Sequence, residues 1–122
     1  MNSIKILIVD DNEIINEMFK EYFEAHGCSA EIASNGREGI AKYNALKPDV
    51  VLMDMQMPVM NGYESSKGIK NLDPDAKILM VTGHPDDPLA AQSLREGYVR
   101  SIIPKPFNLN SLFQEINNAI AA

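Results

Sequence analysis

Five polar residues stand where chemistry could be done, each directly after a short apolar run. Asp10 and Asp11 follow Ile6-Leu7-Ile8-Val9, Asp54 follows Val50-Val51-Leu52-Met53, Thr82 follows Ile78-Leu79-Met80-Val81, and Lys105 follows Ile102-Ile103-Pro104. A charge that ends an apolar run is by itself only a chain leaving its core. Together the five form a set. Three carboxylates brought close raise one another's pKa unless a cation sits among them. Such hard oxygen donors suit Mg²⁺, with Mn²⁺ as a substitute, an ion that keeps waters and bridges to phosphate. An ammonium and a hydroxyl neutralise and hydrogen-bond phosphoryl oxygens. A carboxylate can also be the nucleophile that takes a phosphoryl group as an acyl phosphate. These residue types describe a Mg²⁺-assisted phosphoryl acceptor.

That chemistry needs a scaffold that gathers strand ends at one edge. The four apolar runs are nearly continuous, as in strands of a parallel sheet buried on both faces. A fifth segment, Ala30-Glu31-Ile32-Ala33, is mixed in polarity and reads as an edge strand. Between them, Ile14, Ile15, Met18, Phe19, Tyr22 and Phe23 have helical spacing and close on Gly27; Leu109, Leu112, Phe113, Ile116 and Ile120 follow a cap at Asn108 and predict a last helix running to Ala122. Asn35 with Glu38 and Asn61 with Glu64 have cap-then-Glu spacing, and Asp87-Pro88 reads as a cap and first helical residue. The helix after Gly62 is the least defined, because Ser65, Ser66 and Gly68 dilute its apolar face. Strand then helix, five times over, predicts a doubly wound α/β domain whose strand C-termini share one edge.

The 122 residues, 45% hydrophobic and 23% charged, suit one globular domain over 1–122. Seventeen acidic against eleven basic side chains leave a net charge of −6, which argues against this domain gripping nucleic acid or an anionic membrane. The apolar runs are too short to span a bilayer, no leader pattern is recognisable, and the single Cys28 cannot form an internal disulfide, so a cytoplasmic setting is expected. Cys28 reads as a small buried hydrophobe and His26 as a cation at a helix C-terminus.

Four motifs in order, LIVDDNE, VVLMDMQMPVMNG, MVTGH and IPKPF, cover nearly the whole chain, which thereby resembles a response-regulator receiver domain. The resemblance implies a flavodoxin-like fold with strand order 2-1-3-4-5. It implies that Asp54 takes a phosphoryl group from a sensor histidine kinase or histidine phosphotransfer protein. Asp10, Asp11, Asp54 and the backbone carbonyl of Gln56 would hold the metal, Asp11 more directly and Asp10 through water. Lys105 would pair with Asp54 or its phosphate, Thr82 would move to a phosphoryl oxygen, and the Lys105–Pro106 bond would be cis. Gln56 and His84 take positions that influence the lifetime of the phosphate. A downstream target or output domain would read a face around the helix at Pro88, the last strand and the last helix. The chain would be no enzyme beyond gaining and losing its own phosphate.

One position departs from the family pattern. Three residues before the Lys, where an aromatic is usual, stands Ile102, and the segment Gly97–Ser101 is one residue longer than usual. Either Ile102 serves as a non-aromatic switch or the Thr–aromatic coupling is absent or reworked; Tyr98 reads as a packing or surface residue. A haloacid-dehalogenase-type phosphatase would require an Asp two residues after the nucleophile, but Gln56 follows Asp54 at that spacing and Asn12 follows Asp10. A flavin phosphate would be repelled by Asp-Asp-Asn-Glu after the first strand. A receiver-like interaction module that works without phosphate remains the principal alternative.

Overall fold

The computed structural model describes residues 3–121. Five strands alternate with five helices: β1 (Lys5–Val9), α1 (Glu13–Ala25), β2 (Ser29–Ala33), α2 (Gly36–Leu46), β3 (Val50–Met53), α3 (Gly62–Leu72), β4 (Ile78–Thr82), α4 (Pro88–Arg95), β5 (Ser101–Pro104) and α5 (Leu109–Ala121). The strands form one parallel sheet in the order β2-β1-β3-β4-β5, as the sequence predicts. The last helix is described to Ala121, so its expected end at Ala122 lies outside the described residues.

Neighbouring residues of a strand point to opposite faces, so a strand covered on both sides must be apolar throughout. Ile6, Ile8, Leu52, Leu79 and Val81 pack with Phe19 and Phe23 of α1 and Leu112 and Ile116 of α5. Leu7, Val9, Val51, Met53, Ile78 and Met80 pack on the other face with Tyr43 of α2, Ile69 of α3 and Ala90 of α4. The expected caps form: Asn35, Asn61 and Asp87 side chains accept from the first turns of α2, α3 and α4, and Asn108 accepts from Ser111 N–H.

Two helices differ from expectation in an informative way. On α1, Ile14 is 82% and Met18 42% exposed; the buried stripe is Asn16, Phe19 and Phe23. Six apolar positions over ten residues span more of the helix than one sheet face can cover, and the i, i+4 pair at its margin is left in solvent. On α3 the diluting residues are the packing surface itself. Ser65 and Ser66 are fully buried, and Ser65 Oγ donates to Gly36 O at 2.8 Å. A Cβ on Gly68 would lie 2.6 Å from Ile40 Cδ1, so small residues let α2 and α3 approach closely. Cys28 is buried, which pushes its thiol pKa up. His26 caps α1, its Nδ1 at 2.8 Å from Tyr22 O. No helix among the described residues is long and apolar enough to cross a membrane.

Candidate functional site

The parallel sheet delivers the polar residues to its C-terminal edge. Asp10 N–H donates to Ala33 O at 3.1 Å and Asp54 N–H to Val9 O at 2.9 Å, carrying the ladder one residue past each strand and setting the two aspartates side by side. Asp11 stands outward in solvent, Asp10 is buried, and Asp54 lies between these extremes. One carboxylate oxygen from each of the three lies within 4.8 Å of the others. Lys105, following β5, donates from Nζ to Asp10 Oδ2 at 3.0 Å and stands 3.8 Å from Asp54 Oδ1. The resemblance implies pairing with Asp54 or its phosphate; of the two carboxylates Asp10 is the nearer. The Lys105–Pro106 bond is cis.

Burial is the largest effect on Asp54 and pushes its pKa up to about 6, and the neighbouring Asp10 charge adds to the rise. Lys105 and the Met55 N–H, which donates to Asp54 Oδ1 at 2.9 Å, oppose it. Three ionised carboxylates against one ammonium leave the pocket doubly negative, with Asp11 on the open side. That charge and donor set fit a divalent hard cation that retains water.

Around this centre the other predicted residues divide. Thr82 is buried at the end of β4, its Oγ1 accepting from His84 N–H at 3.0 Å and its carbonyl accepting from Lys105 N–H at 2.8 Å. His84 and Gln56 are exposed on the two loops flanking Asp54, and Gln56 Nε2 reaches Asp87 Oδ2 at 3.4 Å. Ile102 is half-buried against the α2–α3–α4 side of the sheet. Tyr98 is half-buried and packs edge to face on Tyr63, with ring centroids 5.7 Å apart, so it is a packing residue as read from the sequence.

Sequence reasoning missed three supports of the pocket. Asn12 caps α1, its Oδ1 accepting from Ile14 and Ile15 N–H, while its own N–H donates to Asp10 Oδ1. Asn16, only 2% exposed, donates from Nδ2 to Asp10 O at 2.8 Å. An amide on the buried stripe of an amphipathic helix was the available signal. Gly62 abuts the Asp54 backbone: a Cβ there would lie 2.2 Å from Asp54 O. Its signal was the Asn-Gly pair that opens α3.

Residues 6–117 match the family model described as the response regulator receiver domain. The chemotaxis protein CheY of Thermotoga maritima is 36% identical over 114 residues, covering 93% of this chain and 94% of that protein. Among solved structures, a CheY-like receiver domain protein from Methanospirillum hungatei superposes with a TM-score of 0.93 at 32% identity, covering 98% of this chain and 95% of that one. The response regulator TrrA of Thermotoga maritima, solved in complex with Mg²⁺ and a beryllium fluoride, superposes with a TM-score of 0.83 at 28% identity, covering 95% and 98%.

Proposed function

The chain belongs to the response-regulator receiver family, and on that premise we propose that it is the phosphoacceptor switch of a two-component relay, with Asp54 as the acceptor. The observation that carries this reading is the convergence of three carboxylates within 4.8 Å of one another, with Lys105 against two of them. Asp10, Asp11, Asp54 and the Gln56 carbonyl would hold Mg²⁺, which when bound neutralises the donor's phosphoryl oxygens. That TrrA takes Mg²⁺ with beryllium fluoride supports the assignment.

The donor is a phosphohistidine on a sensor kinase or phosphotransfer protein. An ionised Asp54 oxygen supplies the electron pair for the new O–P bond, and the N–P bond breaks with its pair going to the imidazole nitrogen. Lys105 is placed to exchange its 3.0 Å bond to Asp10 for a phosphoryl oxygen. Thr82 Oγ1, now accepting from His84 N–H, keeps a proton to donate to another. His84 and Gln56, exposed on both sides, control water's access to the acyl phosphate. A downstream protein or output domain reads the change.

Incubation with Mg²⁺ and a small phosphodonor is expected to add one acid-stable, base-labile phosphoryl group by intact mass. Retention of that label in Asp54→Asn would sink the assignment.

A further inference from the structure

α4 is held at both ends by the segment that follows Asp54. At its N-terminus, Asp87 caps the helix through Oδ1, which accepts from Leu89 N–H at 2.9 Å, while Oδ2 accepts from Gln56 Nε2 at 3.4 Å. At its C-terminus, Glu96 Oε1 accepts from Tyr63 Oη at 2.9 Å and from Gln92 Nε2, and Gln92 Nε2 also reaches Tyr63 Oη at 3.2 Å. Tyr98, whose N–H closes the helix on Ser93 O at 2.9 Å past the left-handed Gly97, packs its ring on Tyr63. Gln56 lies two residues beyond the acceptor. Tyr63 follows Gly62, whose N–H donates to Met55 O at 2.8 Å and whose Cα faces Asp54 O with no room for a side chain.

A shift of the Asp54 backbone therefore meets a close steric contact at Gly62 and displaces the first turn of α3, with Tyr63 on it. Position 102, by contrast, carries an aliphatic side chain with no hydroxyl or ring to exchange partners.

Resting on the acceptor reading above, we propose that this chain carries the state of Asp54 to α4 through the α3 side, by the Gln56–Asp87 and Tyr63–Gln92–Glu96 clamps, and not through residue 102. Addition of a phosphoryl group draws the 54–62 loop onto the phosphate, Gln56 and Tyr63 shift with it, and the short α4 is released or reseated.

Amide exchange of residues 88–98 tests this with and without Mg²⁺ and beryllium fluoride, the bound mimic being counted by its ¹⁹F resonance. The wild type is expected to change exchange in this segment at least fivefold on binding. Tyr63→Phe, which removes one hydroxyl, and Tyr63→Phe with Glu96→Gln are expected to bind the mimic as the wild type does while changing less than twofold. Ile102→Ala, compared at equal occupancy, is expected to keep the wild-type response. A full response in both Tyr63 variants, or its loss in Ile102→Ala alone, would overturn the route while leaving the acceptor intact. Absence of a bound resonance in the wild type would overturn the acceptor reading and the route with it.

Discussion

The features that suit Asp54 to the proposed acceptor role are the ones that make it costly. Burial and the Asp10 charge push its pKa up to about 6, so the folded chain holds a proton there that the unfolded chain releases near pH 4. The metal-free fold therefore loses stability as pH rises from about 4 through about 6, by up to about 3 kcal/mol from this group. Asn cannot ionise. Asp54→Asn is expected to stabilise the metal-free protein at pH 7 by up to that amount and to flatten the pH profile between 4 and 6; urea midpoints across this range would measure both. A variant less stable than wild type at pH 7, with its slope intact, would contradict the burial argument. The type and place of Asp54 were legible in the sequence. Its pKa was not, because the burial and the Asp10 charge that raise it, and the Lys105 charge that opposes them, come together only when other strands fold around it.

At the scale of elements, the fold depends on close approaches that only small residues permit. Gly62 puts the start of α3 directly against Asp54 O, where a Cβ would intrude to 2.2 Å. Gly62→Ala is expected to cost about 1–3 kcal/mol, in the range of overpacked cores, and, on the proposed function, to slow phosphoryl uptake, because the displaced atom belongs to the peptide of Asp54 itself. A denaturant midpoint and an uptake rate both equal to wild type would refute that contact. Ser65 acts likewise between α2 and α3, its Oγ donating to Gly36 O, on a helix the sequence suggested was weak. Local signals specified the caps at Asn35, Asn61, Asp87 and Asn108, since a cap bonds within its own turn. Which side of α1 is covered depended on the sheet, and Ile14 and Met18 fell outside it.

For the whole molecule, cation binding at the pocket would be coupled to folding, because its three carboxylates converge only when β1 and β3 pair. Mg²⁺ at a hundredfold excess over its Kd is expected to raise unfolding free energy by about 3 kcal/mol at pH 7. The gain should fade below about pH 6, where a proton on Asp54 competes with the ion. Thermal melts at pH 7.5 and 5 with and without Mg²⁺ check this; equal shifts at both pH values would exclude Asp54 as a ligand. The strand–helix alternation, the parallel sheet and the five polar residues at its strand ends were all written in the chain, because apolar runs, caps and strand-end charges are local and periodic. The pairing of Lys105 with Asp10, the role of Asn16 beneath it and the clamp of Tyr63 on Glu96 were not. They join residues 95, 6 and 33 positions apart, and such contacts exist only once the sheet and its helices have packed.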